Sequence, residues 1–231
     1  MAKMKPAAAQ FFWSGVKAEF PLLVGVVPFG MIYGVSALSA GLTPAAAQAM
    51  SAVVFAGSAQ FVTTQLVSLS VPGLVAILTI AVVNLRHGLY SVSIAPYTSR
   101  LSLPWKLGLS YLLTDEAYAV TITHYAQQED IRNSHWFFLG SGLTLWTSWQ
   151  ISTAFGILLG TVVPASWSLE FALPLTFIAL TIPFLKDSSS MVAALSAGIT
   201  ALLAYTLPLK LGLILAAFVG VLVGLIVENR K

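Results

Sequence analysis

Two segments of the chain place ionisable side chains in the middle of long apolar stretches. One carries Asn84, Arg86 and His87, and the other carries Asp115 and Glu116. An unpaired charge costs about 2.5–3.5 kcal/mol in hydrocarbon even on the mildest insertion scale, so ionisable residues at such positions indicate a functional site. Arg86 could bind a carboxylate, and Asp115 or Glu116 could bind an ammonium group. His87 or either acid could carry a proton.

A purely structural interpretation of these charges is also open. Arg86 could pair with Asp115 or Glu116 only to hold two helices together, although desolvation can cancel the gain from a buried ion pair. His87 could equally be a hydrogen-bonded imidazole. Helical spacing favours a site, because polar residues of the second segment recur on one face that would be costly in lipid. This predicted stripe contains Tyr111, Thr114, Asp115, Tyr118, Thr121 and Tyr125.

Small residues and proline interrupt the apolar stretches that precede these charges. Gly57, Ser58 and Gln60 lie near the middle of one stretch, and Pro28 and Gly30 lie in another. Transporters commonly build substrate sites where a helix unwinds, because the freed N–H groups and the positive end of the helix dipole can hold a carboxylate. Close helix packing is the other interpretation of both features. We expect a break near Gly57 and a kink or break at Pro28.

Aromatic side chains accompany these interruptions. Phe29, Phe55 and Phe61 could receive an aliphatic side chain, so the whole set suits a zwitterionic apolar substrate. The predicted substrate-binding residues are Pro28, Phe29, Gly30, Phe55, Gly57, Ser58, Gln60, Asn84, Arg86, Asp115, Glu116 and Tyr118. The predicted proton-coupling residues are His87, Asp115 and Glu116.

The composition excludes several classes of protein. Only 8% of the 231 residues are charged, against an average near 25%, and the mean hydropathy is +0.88. So few charges cannot cover the surface of a soluble domain, and the scattered basic residues do not form a nucleic-acid patch. There is no cysteine, which excludes disulfides, thiolate metal ligands and a thiol nucleophile. We expect no metal, no cofactor and, without a phosphate-binding loop motif, no nucleotide.

The apolar runs between charges and breaks predict an all-α integral membrane protein. Seven or eight helices, some interrupted by glycine or proline, form the predicted bundle. The candidate spans are 20–40, 44–70, 73–97, 105–126, 136–163, 169–185, 188–207 and 209–227. We expect residues 1–19 to be a cytoplasmic N-terminal segment and residues 20–231 to be a single transmembrane transporter domain. The distribution of lysine and arginine favours both termini in the cytoplasm.

Two sets of small residues predict close helix contacts. Gly156 and Gly160 form a GxxxG pattern, and a stripe of small residues follows the last span. That stripe consists of Gly212, Ala216, Gly220 and Gly224. It could pack within the chain or against another subunit.

The chain resembles the AzlC family, the large subunit of bacterial branched-chain amino acid exporters. The resemblance rests on four segments in the order and at the spacing of that family, and it extends over about residues 11–228. The segments are Gly25-Val26-Val27-Pro28-Phe29-Gly30 with Gly34, Phe55-Ala56-Gly57-Ser58-Ala59-Gln60-Phe61, Asn84-Leu85-Arg86-His87-Gly88-Leu89-Tyr90 and Asp115-Glu116-Ala117-Tyr118-Ala119. Gly88 stands where the family more often has alanine. The last third of the chain matches mainly in hydropathy.

This resemblance implies a secondary transporter rather than an enzyme. It would export valine, leucine and isoleucine, with methionine as a further candidate, across the bacterial inner membrane as a multi-pass protein. The resemblance also implies a partner, the small AzlD-type membrane subunit. Since the ionisable groups are predicted at mid-membrane, proton antiport is the natural hypothesis for coupling.

Three other functions compete with this interpretation. The cargo could be another amino acid or a small organic acid. A channel or a non-transporting membrane subunit could use the same charges, because charged side chains also line pores. A hydrolase built on Ser58 and His87 is disfavoured, because no Gly-x-Ser-x-Gly elbow surrounds Ser58.

Overall fold

The computed structural model describes residues 6–127, 133–162, 182, 185–207 and 211–229, and all regular structure in these ranges is helical. This confirms the all-α prediction. The helices are α1 (Pro6–Glu19), α2 (Leu23–Ser39), α3 (Pro44–Val53), α4 (Gly57–Ser68), α5 (Gly73–Thr98), α6 (Leu103–Tyr111), α7 (Asp115–Gln127), α8 (Ser134–Val162), α9 (Ser188–Leu203) and α10 (Leu211–Glu228). A 3-10 turn, Phe20–Leu22, joins α1 to α2.

Two helical runs among the described residues are long and apolar enough to cross a bilayer. They are Ala7–Ser39 and Gly73–Thr98. This is fewer than the seven or eight predicted spans, and the reason lies in how the other apolar stretches fold. The runs 44–70 and 105–126 are each divided into two short helices, and the long helix α8 carries many serine and threonine side chains. Most of the predicted span 169–185 lies outside the described residues.

The chain forms two compact units, which are described separately. Unit 1 contains residues 1–61 and 84–164, and unit 2 contains residues 62–83 and 165–231. The prediction of a single transmembrane domain from residue 20 onwards stays a prediction. Residues 6–19 of the predicted segment 1–19 form the helix α1, and the cytoplasmic location of that segment stays a prediction.

In unit 1, α1 and α2 pack along α8 through glycines. A Cβ atom added at Gly156 would overlap the carbonyl oxygen of Met31, and one added at Gly140 would overlap that of Phe12. Gly34 likewise faces the backbone of α8 at Thr153. Such close backbone approach is typical of helix contacts in membranes. The predicted GxxxG contact is therefore a contact between α8 and α2.

The stretch 44–70 unwinds where small residues predicted a break. Thr43 caps α3, with its Oγ1 accepting a hydrogen bond of 3.2 Å from the amide of Ala46. After α3 ends at Val53, three residues leave the helical path, and α4 begins at Gly57.

No such break occurs at Pro28. The helix α2 runs continuously from Leu23 to Ser39 through this residue, so of the expected kink or break the break is wrong, and the kink stays a prediction. Proline removes one hydrogen bond, and here it does so near the start of a helix that is held against α8 by close packing. The helical break therefore lies in the predicted span 44–70, and the helix in the predicted span 20–40 is continuous at Pro28.

A second break divides the stretch 105–126, where we predicted one continuous helix with a polar stripe. The helix α6 ends at Tyr111 and α7 begins at Asp115, so the stripe from Tyr111 to Tyr125 is not a single helix face. The physical cause is local, because Thr114 accepts a hydrogen bond of 3.4 Å from the amide of Ala117 and acidic residues occupy the first turn of α7. Both features are typical of a helix start.

In unit 2, α9 and α10 pack through small residues. A Cβ added at Gly220 would lie 2.9 Å from the Cβ of Ala197, and one added at Gly224 would lie 3.0 Å from that of Ala193. Asp187 and Ser190 form a capping box at the start of α9. The small-residue stripe of the last helix therefore packs within the chain.

The α2–α8 contact gives a test of this packing. We expect Gly156→Ala to lower the melting temperature of the detergent-solubilised protein by roughly 3–10 °C, since overpacking costs about 1–3 kcal/mol. Gly25→Ala is the matched control in α2, because a Cβ there meets nothing within 4 Å. Equal melting temperatures for the two variants would contradict the contact.

Candidate functional site

A narrow cavity in unit 1, with a volume of about 40 Å³, lies where the two helix breaks meet α2, α5 and α8. Each break contributes the residues that precede a new helix and the first turn of that helix. The cavity is lined by Val26, Phe29, Phe55, Ala56, Gly57, Ser58, Arg86, His87, Thr114, Asp115, Glu116, Leu145 and Trp149. Charged and apolar side chains therefore share one cavity.

 

The charged residues of this cavity form an ion pair between α5 and α7. The guanidinium of Arg86 donates a hydrogen bond through Nη1 to Oδ2 of Asp115. The two side chains are 28% and 34% exposed, and Nε of Arg86 and Oδ1 of Asp115 are buried without a hydrogen-bond partner. Arg86 is thus paired with Asp115, as the structural alternative allowed, and the pair keeps donor and acceptor capacity for a further group.

Two helix N-termini start at the cavity, and they differ in charge. The first turn of α7 contains Asp115 and Glu116, whose carboxylates suit the positive end of the helix dipole. The first turn of α4 begins with Gly57 and Ser58 and contains no acidic side chain. The start of α4 is therefore the place in this cavity where a helix dipole favours an anion from outside the chain.

An aromatic wall stands beside the charged groups. The ring of Phe29 stacks on Phe61 at 4.5 Å between centroids and meets the ring of Trp149 edge-on at 5.6 Å. A Cβ added at Gly57 would lie 3.2 Å from Trp149 and 3.3 Å from Phe29, so glycine is what allows these rings to approach the start of α4. The cavity thus combines an apolar wall with charges of both signs.

The side chain of Gln60, a predicted substrate-binding residue, is hydrogen-bonded to the end of α3 and to α8. Its Nε2 donates hydrogen bonds to the carbonyl oxygens of Val54 at 2.6 Å and of Met50 and Ser51 at 3.3 Å. Its Oε1 accepts a hydrogen bond of 3.1 Å from the indole N–H of Trp149. These carbonyls lie at the end of α3, and each also accepts a second hydrogen bond, from a backbone amide or from the side chain of Gln150. Gln60 therefore stabilises the break and is not among the residues that line the cavity.

The second break is tied to α8 and to α3 in a similar way. The indole N–H of Trp146 donates a hydrogen bond of 2.7 Å to the hydroxyl of Tyr111, and that hydroxyl donates to the carbonyl oxygen of Ala52. Trp146 and Trp149 are three residues apart and so lie near each other on one side of α8. One helix thus anchors both breaks through its tryptophans.

Further polar contacts fix α3 itself on α8. The hydroxyl groups of Ser51 and Thr153 lie 3.1 Å apart, and Gln48 donates a hydrogen bond of 2.8 Å to Gln150. Tyr33 of α2 donates to the carbonyl oxygen of Ala47 at 2.9 Å. The unwound segment 54–56 therefore follows a helix that is held from two sides.

The other predicted site residues divide into those that line the cavity and those that do not. His87 lines it, with Nδ1 3.3 Å from the carbonyl oxygen of Asn84. Pro28 is exposed, and Gly30 packs closely against Ser152. The side-chain oxygen of Asn84 is buried without a partner, outside the cavity lining.

Tyr118 also lies outside the lining. Its hydroxyl donates a hydrogen bond of 3.0 Å to Ser93, and its ring stacks on Tyr90 at 4.5 Å. The lining residues that the sequence analysis did not select are Val26, Ala56, Thr114, Leu145 and Trp149. Thr114 could have been found from its position before two acidic residues, which indicates a helix cap. The apolar members carry no such pattern, because their role depends on how α2 and α8 pack.

The helices, the two breaks and the charged cavity together describe a helical membrane protein with an internal polar site. A family model described as AzlC protein matches residues 21–163, and the chain belongs to the AzlC family. No solved structure matches the chain.

The relatives of this chain are membrane proteins. It is 32% identical to an uncharacterized membrane protein of Archaeoglobus fulgidus over 90% of this chain and 92% of that protein. It is 26% identical to the inner membrane protein YgaZ of Escherichia coli over 89% of this chain and 86% of that protein. It is also 29% identical to an uncharacterized membrane protein of Helicobacter pylori over 73% of this chain and 75% of that protein. The family is consistent with a transporter-type membrane subunit rather than an enzyme.

The role of Gln60 can be tested by replacing its amide. We expect Gln60→Leu to lower the melting temperature of the solubilised protein by several degrees, because the buried indole N–H of Trp149 would lose its acceptor. An unsatisfied buried polar group costs about 1–3 kcal/mol. Gln65→Leu is the matched control, since Gln65 is an exposed residue of the same helix. If Gln60→Leu were as stable as Gln65→Leu, the break would not depend on this side chain.

Proposed function

We propose that this chain is the large subunit of a secondary transporter that exports branched-chain amino acids. The substrates would be valine, leucine and isoleucine, with methionine as a further candidate, and the partner would be a small AzlD-type membrane subunit. The observation that carries the proposal is the cavity itself, which combines an aromatic wall with a cationic and two acidic side chains. A zwitterion with an apolar side chain has a carboxylate, an ammonium group and an apolar part, and each of these complements one group of the cavity.

Each part of such a substrate has a matching group in the cavity. The carboxylate would bind Arg86 and the start of α4 at Gly57 and Ser58. The ammonium group would bind Asp115 or Glu116. The branched side chain would lie against the aromatic wall, where apolar contact replaces water.

Binding would exchange one ion pair for two. The substrate carboxylate takes Arg86 from Asp115, and the ammonium group supplies Asp115 with a new cation. The number of unpaired buried charges does not rise, which matters because leaving one charge of a buried pair without its partner costs about 3–5 kcal/mol. A ligand with only one of the two charges would leave a protein charge unpaired.

The two broken helices also support a transport function. Many transporters place discontinuous helices at the substrate site, with half-helix N-termini facing the anionic group of the substrate. We therefore retain the multi-pass bundle of seven or eight spans as part of the proposal. The name of the Escherichia coli relative supports placement in the bacterial inner membrane. Export against a gradient would be coupled to proton entry, with His87, Asp115 or Glu116 as the carrier.

Efflux from loaded cells tests this function. Cells that express the chain with its neighbouring small subunit are loaded with labelled valine, leucine, isoleucine or methionine, and lysine serves as the control substrate. We expect efflux of the branched-chain set only when both subunits are present. Absence of efflux from cells with correctly inserted protein would contradict the proposal, and efflux of lysine at the same rate would contradict the substrate class.

The ion pair gives a prediction that separates a binding role from a helix-holding role. Arg86→Ala and Asp115→Asn should each reduce efflux at least tenfold, and the double variant should recover stability but not efflux. The recovery follows because removing both charges leaves no unpaired buried charge. Arg100→Ala is the control, since Arg100 is exposed. If the double variant exported leucine normally, the pair would serve only to hold α5 against α7.

The absence of cysteine allows a direct measurement of the cavity. A single Ser58→Cys variant should react with a membrane-permeant thiol reagent, and leucine should slow that reaction at least threefold while lysine should not. Ser99→Cys is the control, because Ser99 is exposed and lies outside the cavity. Equal labelling rates with and without leucine would place the substrate elsewhere.

A further inference from the structure

Glu19 is a fully buried carboxyl group that the proposed site does not use. It is the last residue of α1 and is 0% exposed. Oε2 accepts a hydrogen bond of 2.5 Å from the hydroxyl of Ser141 on α8, and Oε1 is buried without a hydrogen-bond partner. The salt bridge found among the described residues joins two other side chains, Arg86 and Asp115, so Glu19 has no cation bound to it there.

A buried carboxyl group without a cation is costly when it is charged. Proteins normally pair such a charge or neutralise the group by binding a proton. The hydrogen bond from Ser141 satisfies only one of the two oxygens. The environment of Glu19 is therefore suited to a group that binds a proton inside the protein.

The helices that pack on α1 present a second acid to Glu19. Both α7 and α8 contact α1. From α7, the carboxyl group of Glu116 interacts electrostatically with Glu19, and from α8 the facing polar group is Ser141. The imidazole of His124 lies against Phe11, which is eight residues before Glu19 and therefore about 12 Å away along α1. Lys17 is the other charged residue at this end of α1.

Glu116 connects Glu19 to the substrate cavity, because Glu116 lines that cavity. Two carboxyl groups that interact do not readily carry two charges, and their protonation is coupled. When a substrate ammonium group approaches Glu116, it favours the charged form of that side chain, so a proton must leave.

We infer that Glu19 is a proton-binding residue of the transport cycle and that its protonation is coupled to that of Glu116. When the O–H bond of the Glu116 carboxyl group breaks, an O–H bond forms on a carboxylate oxygen of Glu19, so the two groups together keep one proton and one negative charge. The reverse change follows when the substrate leaves. This inference rests on the proposed proton-coupled transport, and it assigns to that transport a residue outside the substrate cavity.

The test uses the two-subunit complex reconstituted in liposomes and separates exchange from coupled transport. Exchange of leucine for labelled leucine needs no net proton movement, whereas accumulation driven by an imposed pH gradient does. We expect Glu19→Gln to retain exchange within about twofold of wild type and to lose gradient-driven accumulation at least tenfold. Glu19→Asp, which keeps the carboxyl group, should recover part of the accumulation. Glu228→Gln is the control, because Glu228 is exposed.

Two results would overturn the inference about Glu19. One is wild-type accumulation by Glu19→Gln, which would show that no proton is needed at this position. The other is equal loss of exchange and accumulation in a correctly folded Glu19→Gln complex, which would show a structural role. Absence of leucine exchange in the wild-type complex is a different result, because it contradicts the proposed function itself and this inference with it.

Discussion

An unwound backbone inside an apolar helical protein must find hydrogen-bond partners, and this constraint organises unit 1. Water cannot satisfy the freed carbonyls where side chains or lipid exclude it, so each break needs a polar side chain from elsewhere in the chain. Gln60 and Tyr111 both donate to carbonyl oxygens at the end of α3, and both accept a hydrogen bond from an indole N–H group of α8. The position of the whole site therefore depends on the surface of one long helix.

The same constraint explains how charges are tolerated in the cavity. A broken helix exposes the positive end of a dipole at its new N-terminus, and α7 places two acids in its first turn. One of these acids is paired with Arg86 from α5. The start of α4 lacks such acids and instead lies beside aromatic rings, which gives the cavity its two chemically different ends.

The sequence predicted those features that follow from local composition. The limits of α5 and α8 agree with the predicted spans to within two residues, because both are continuous runs of helix-forming residues. The break before Gly57 was also predicted correctly, since small residues lower the cost of unwinding. The break before Asp115 was not predicted, because the spacing of the polar residues was interpreted as one face of a continuous helix. Thr114 and the acids that follow it nevertheless indicated a helix start.

Other features depend on packing between distant segments and could not be predicted. Trp149 lines the cavity and Gln60 does not, because Gln60 is bonded to the end of α3 and to the indole of Trp149. Glu19 was assigned to a segment before the first span, and its burial becomes visible only when α1 is packed on α8. Whether a polar residue meets a ligand or another part of the chain is decided by these contacts.

If one cavity recognises both charges and the apolar side chain of an amino acid, a ligand that lacks any one of these three parts must bind more weakly. Calorimetric titration of the purified two-subunit complex with leucine, leucinamide, 4-methylpentanoate and glycine tests this most directly, because each analogue lacks one of the three parts. We expect leucine to bind and each analogue to bind at least tenfold more weakly. Binding of 4-methylpentanoate as tight as that of leucine would contradict it, since that ligand has no ammonium group for Asp115 or Glu116.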